Sequence, residues 1–123
     1  LGIVPWDKRS ARPQIGQFRQ KCEYVLYACK GSLTLATHSC LPGLYSYPVI
    51  AKQKVYLTSK PVALIHDLLA ITGPEGVVLD PFMGGGSVGV ACRESGRGYV
   101  GIELSEEYYT ISRDRIFQTE KKA

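Results

Sequence analysis

Between Val77 and Glu103 the chain reads VVLDPFMGGGSVGVACRESGRGYVGIE, and no other stretch restricts the fold as strongly. A β-branched apolar run, Gly76 to Leu79, ends at Asp80. Glycines 84 to 86 follow, then a segment from Ser87 to Ser95 bounded by Gly96, then a second apolar run from Tyr99 to Ile102. Ser105 next suits a helix N-cap, Glu106 and Glu107 favour the positive end of a helix dipole, and the run finishes basic at Lys121 and Lys122. Strand, helix, strand, helix within ~45 residues predicts two parallel strands joined by a right-handed crossover, and therefore an α/β fold.

The rest of the chain is less regular. Leu1 to Trp6 predicts a buried strand, with Pro5 suited only to its last turn or edge. Arg9 to Gln20 (RSARPQIGQFRQ) carries Pro13 and Gly16 without an apolar period, which predicts a basic loop. A second strand is expected at Glu23 to Cys29, and residues 31–57 predict a long loop with one short strand near Val49 and Ile50. Thr58-Ser59 before Lys60-Pro61 suits an N-cap followed by a first-turn proline; Val62, Ile65, Leu68, Leu69 and Thr72 then share one helical face until Gly73-Pro74. The expected organisation is one structural domain with a partial sheet and basic loop in 1–57 and a ligand-binding half in 58–123.

Composition excludes several classes. The chain has 123 residues, 45% hydrophobic and 21% charged, with no apolar run near the ~18 residues that span a bilayer. Its first residues, LGIVPWDKRSAR, lack the order of a secretory signal, so the cytoplasm is the expected location. The four cysteines, Cys22, Cys29, Cys40 and Cys92, form no C-x-x-C pair, so no metal site is expected and reduced, mostly buried thiols are. Net charge is +4, and from Lys8 to Lys30 six cations face the single acid Glu23. Lys8, Arg9, Arg12, Arg19 and Lys21 are candidates to track a phosphate backbone, or else belong to a solvated loop face.

Gly84, Gly86 and Gly89 satisfy G-x-G-x-x-G after a strand and before a helix, and Glu103 follows at the distance a dinucleotide fingerprint requires. Spacing alone leaves a dinucleotide, another nucleoside ligand or a tight turn open. Asp80 separates the ligands: a carboxylate in the crevice repels a pyrophosphate and suits a ligand carrying an ammonium and a sulfonium. S-adenosylmethionine is therefore expected over NAD. Glu103 can accept from ribose hydroxyls, Phe82 can lie against the ligand and Pro81 stiffens the turn.

These residues resemble a known family. TSKP, a helix and then LDPFMGGGSVGVA…GIE are similar to the amino-methylating DNA methyltransferases, which modify adenine at N6 or cytosine at N4, in the permuted order that places the donor motif late in the chain. Thr58, Lys60, Pro61 and Leu64 match the segment before the donor strand. Asp80, Pro81, Phe82, Gly84 and Gly86 match the donor motif, Ser87 stands in its loop, and Glu103 matches the following acid. Trp6, Lys8, Arg19, Glu23, Tyr24, Lys30 and Gly31 answer to the family's upstream pattern. The resemblance implies a Rossmann-like S-adenosylmethionine-dependent methyltransferase fold, DNA as partner, and direct transfer of the methyl group to the exocyclic amine of a flipped base.

Two departures are mild: Tyr56 replaces a common histidine, and the glycine run is Gly-Gly-Gly-Ser. A third is not. The family holds the target amine with Asp-Pro-Pro-Tyr or a close variant, and this chain has no Pro-Pro dipeptide. In permuted order that motif would lie upstream of Leu1, on a central strand. The expectation is an N-terminally truncated chain with an incomplete sheet, no catalytic residue of its own, no turnover alone, and a missing segment or second subunit completing the fold. Alternatives are an inactive donor- or DNA-binding remnant and an NAD-linked enzyme. His38 and His66 are expected as a loop and a helix residue, not as bases.

Overall fold

The computed structural model describes residues 1–31, 40–49 and 59–120. It divides into two compact units, Leu1–Val49 and Ile50–Ala123. The expected boundary at 57/58 lies outside the described residues.

In the first unit, β1 (Gly2–Asp7) pairs antiparallel with β2 (Cys22–Tyr27) from Gly2↔Tyr27 to Asp7↔Cys22. The short β3 (Tyr45–Ser46) lies parallel to β1 on its other side, against Trp6 and Asp7 only. Pro5 thus sits inside β1, not at its end, and is tolerated because β3 does not reach it. The period-2 pattern puts Trp6 on the buried face, 2% exposed, with its indole N–H donating to the Tyr47 carbonyl at 2.9 Å. Tyr45 is buried in the same unit. The short strand falls upstream of its expected place: Val49 is not in a strand, and Ile50 lies outside the described residues.

In the second unit, β4 (Val77–Asp80) and β5 (Gly98–Gly101) are parallel in the register Val77↔Gly98 to Asp80↔Gly101, bridged by α2 (Ser87–Ser95). α2 ends at Gly96 in the left-handed conformation, φ 69°, which glycine adopts without penalty. α3 (Glu106–Gln118) starts at Ser105, whose hydroxyl accepts from the Tyr108 amide. The basic finish expected at Lys121 and Lys122 lies outside the described residues.

α1 (Val62–Leu69) differs from expectation at both ends. Its N-cap is Pro61, without a side-chain cap bond; Thr58 lies outside the described residues. It stops before Gly73, and Arg97 gathers carbonyls at and just beyond its end, donating to Leu69 O, Thr72 O and Gly73 O. Its buried residue is Leu64, not one of the five predicted to share a face. α1 packs on α2, where His66 Nε2 meets Glu94 Oε2 at 2.6 Å. Val90, Ala91 and Cys92 of α2 are buried. The other cysteines, Cys22, Cys29 and Cys40, are free and exposed, which corrects the expectation of mostly buried thiols. Cys22 points outward on β2, while Cys29 and Cys40 stand outside the strands.

Close packing explains one glycine of the motif. A Cβ on Gly89 would stand 2.8 Å from both Ile116 Cγ1 and Tyr99 Cε1. Glycine to alanine inside a helix usually stabilises by about 1 kcal/mol. Here Gly89→Ala is expected to destabilise by about 1–3 kcal/mol through overpacking. Urea denaturation reads the sign, and an unchanged or raised midpoint would contradict the packing described.

Candidate functional site

The site forms where β4 gives way to the glycine loop. The end of β4 is locked to the segment after β5, with the Ile102 amide donating to Asp80 O at 2.9 Å and the Met83 amide to Ile102 O at 2.8 Å. Gly86 closes the turn by donating to Met83 O at 2.9 Å. Gly84 and Gly86 have φ of 50° and 73°, a region costly for residues with a Cβ.

The two glycines serve different needs. A Cβ on Gly86 would stand 3.0 Å from Ser112 Cβ, so α3 packs against it. A Cβ on Gly84 would meet nothing nearer than 3.8 Å, so its backbone faces open space. That space is a cavity of about 270 Å³ lined by Ser59, Lys60, Asp80, Phe82, Gly84 and Ser87, together with Met83, Gly85 and Val88. Five predicted ligand residues therefore converge on one cavity. Gly86 supports its wall, Pro81 lies exposed in the turn, and Glu103 contacts the loop from the side.

Asp80 is partly buried and held at both oxygens. Oδ1 accepts from the Phe82 amide at 3.2 Å and Oδ2 from the Tyr99 hydroxyl at 3.3 Å. Burial and the neighbouring Asp80 charge push the Tyr99 phenol well above its usual value, so it stays protonated and keeps donating. Glu103 Oε1 accepts from the Ser105 amide at 3.0 Å and Oε2 from the Gly84 amide at 2.7 Å, and these bonds hold its carboxyl below the usual range. A carboxylate offers about four lone-pair sites, so Glu103 retains acceptor capacity.

Ser59 and Ser87 were partly visible in sequence, as flanks of the motifs. What sequence did not show is that their hydroxyl oxygens are buried without a hydrogen-bond partner among the described residues. Leaving such a group unmade costs about 1–3 kcal/mol. Sequence also missed the contribution of α3. The Ser112 hydroxyl, fully buried, lies within hydrogen-bond reach of Gly84 O and Tyr108 O and shares its single proton between them, and Arg115 donates to Gly85 O at 2.5 Å. Helical spacing gives no hint that these polar residues face a loop about thirty positions earlier.

In the first unit the predicted cations divide. Lys8 pairs with Glu23 at 3.5 Å, and Arg9 donates to Ser46 Oγ and Ser46 O at 3.1 and 3.0 Å. Arg12, Arg19 and Lys21 are exposed. Among the described residues no cluster of three or more His, Cys, Asp or Glu could hold a metal, and no helix is long and apolar enough to cross a membrane.

A parallel strand pair with a glycine loop opening a helix, an acid at or just after the end of each strand and a cavity at the loop beside Asp80 define a nucleoside-ligand site of the Rossmann-like α/β class. The family model for DNA methylase, N6_N4_Mtase, matches residues 6–114, and the chain belongs to this family. The protein YubD of Escherichia coli K12, a methylase by name, is 37% identical over 100 residues, 80% of this chain and 42% of YubD. The type II methyltransferase M.XycI of Xanthomonas campestris pv. cyanopsidis is 47% identical over 62 residues, 50% of this chain and 21% of that protein. The crystal structure of the M1.HpyAVI–SAM complex matches with a TM-score of 0.77 at 30% identity, covering 94% of this chain and 61% of that one. The cytosine-N4-specific PvuII DNA methyltransferase, with a TM-score of 0.67 at 17% identity and 58% of its chain covered, shows the same fold. The described elements are thus part of the methyltransferase fold, and the chain spans less than two thirds of each of these relatives.

The Tyr99–Asp80 contact has a spectroscopic consequence. Through the usual tyrosine range near pH 10, the phenolate absorbance of the native protein and of Tyr99→Phe should rise by the same amount, because Tyr99 does not ionise there. Since the unfolded chain does release that proton near pH 10, Tyr99 also makes native stability fall as pH rises above this value. A smaller absorbance rise in Tyr99→Phe would show that the contact is absent.

Proposed function

We propose that the chain is the donor-binding part of an S-adenosylmethionine-dependent DNA methyltransferase acting on the exocyclic amine of adenine (N6) or cytosine (N4). The observation that carries the proposal is the cavity itself: one carboxylate, the side-chain-free approach at Gly84 and two buried hydroxyls without partners among the described residues meet at the end of β4. These groups fit a donor with cationic and hydrogen-bonding parts, and the fixed Asp80 charge disfavours a pyrophosphate. In this reading Asp80 and Lys60 orient the polar end of the ligand, Ser59 and Ser87 complete their hydrogen bonds on it, Phe82 covers it and Glu103 takes hydroxyl donors. Thr58 belongs to the proposed set by its match to the family pattern, and Pro81 and Gly86 shape the turn.

When bound, S-adenosylmethionine supplies an electrophilic methyl group. The chain's residues bind and orient; nothing in the sequence supplies the Asp-Pro-Pro-Tyr type acceptors that hold a target amine. We therefore assign the catalytic step to polypeptide outside this chain, an additional segment or second subunit. The open face of the β4–β5 pair supports this: Val77, Leu79 and Val100, with Ile102 just beyond β5, are all exposed, whereas parallel sheets are covered on both faces. Arg12, Arg19 and Lys21, with Lys8 and Arg9, are the proposed DNA side.

Isothermal titration tests the donor reading. S-adenosylhomocysteine should bind and NAD should not; the reverse would sink the proposal. Asp80→Lys should weaken binding at least about tenfold, given about 1.5–3 kcal/mol for a hydrogen bond to a charged group. Transfer of labelled methyl to DNA should be absent for this chain alone and appear when a polypeptide carrying the Asp-Pro-Pro-Tyr type motif is added.

A further inference from the structure

The loop joining β1 to β2 presents a feature that donor binding does not use. Ile15 and Phe18 are 104% and 97% exposed, as fully as a side chain can be. They flank Gly16-Gln17, where the Gly16 φ of 75° makes a left-handed turn and Gln17 N donates to Gln14 O at 3.4 Å. The base of the loop is fastened. Lys8 N donates to Lys21 O at 2.8 Å, the Lys8–Glu23 pair lies beside it, and Arg9, itself at φ 61°, is tied through its amide to Asp7 Oδ1 and through its guanidinium to Ser46. The result is an apolar tip on an anchored base, bordered by the exposed cations Arg12, Arg19 and Lys21, with no acid from Lys8 to Lys21.

We propose that Ile15 and Phe18 form a wedge that inserts between base steps of duplex DNA while Arg12, Arg19 and Lys21 neutralise phosphates on either side. The inference rests on the DNA reading above and adds the contact that engages the bases. Apolar side chains set among cations suit a surface that is charged outside and stacked inside, and proteins that deform DNA use Phe and Ile in this way. An uninterrupted basic border suits a polyanion better than the charge-depleted core of a protein interface. The fastened base fixes where the loop leaves the β1–β2 pair.

The test is fluorescence anisotropy of a labelled duplex across a salt series, using the protein, Phe18→Ala and Arg19→Gln. Phe18 is fully exposed, so its removal leaves the folded core untouched. Phe18→Ala should weaken binding about five- to hundred-fold, as expected for loss of base stacking, with the salt slope unchanged. Arg19→Gln should instead lower the slope by about one. A 2-aminopurine in the duplex should brighten with the protein and not with Phe18→Ala. Equal affinity of Phe18→Ala and the native protein would overturn the wedge, as would loss of self-association or of binding to anionic phosphatidylserine vesicles with duplex affinity intact. If the native protein binds no duplex, the DNA reading falls with it, while the S-adenosylhomocysteine titration judges the donor site independently.

Discussion

The second unit depends on how the glycine loop is held. Its backbone takes left-handed turns at Gly84 and Gly86 that leave carbonyls and amides without helix or strand partners. α3 and the end of β5 supply those partners: Ser112 and Arg115 take up the carbonyls of Gly84 and Gly85, and Glu103 takes the Gly84 amide. Each bond reaches across some 19 to 30 positions of sequence. The loop therefore acquires its shape from the helix that follows the second strand, and the cavity at its mouth depends on β4, β5, α2 and α3 being assembled.

This arrangement also explains what was legible beforehand. The α2 limits, Ser87 to Ser95, and the N-cap Ser105 follow from local chemistry, a glycine at each boundary and a hydroxyl before two acids, and the structure matches them. The convergence of Lys60, Asp80, Phe82, Gly84 and Ser87 could be anticipated because a strand-to-helix turn brings its residues to one end of the sheet. The failures share a cause. Arg97, far along the chain, takes up the Leu69 carbonyl and that of Thr72 in the turn after α1, and Leu64 is buried in a helix that packs on α2; periodicity within α1 identifies neither partner. Tyr99, Ser112 and Arg115 were overlooked for the same reason.

Charge is used in two ways in this protein. Around the cavity it is fixed: Asp80 and Glu103 each hold two donors, so their positions are set before any ligand arrives. On the β1–β2 loop it is divided, with Lys8 and Arg9 tied to the unit and Arg12, Arg19 and Lys21 left to solvent. Preorganised charge favours selectivity for one small ligand, whereas solvated charge favours rapid, salt-sensitive capture of a large one.

Trp6 is the single tryptophan of the chain, and it lies buried in the first unit with its indole bonded to Tyr47. Indole emission consequently reports the integrity of Leu1–Val49 alone. A native blue-shifted spectrum that persists while helical circular dichroism melts would mean that the three-stranded unit outlives the glycine-loop unit. Coincident changes would mean that the two lose structure as one cooperative body.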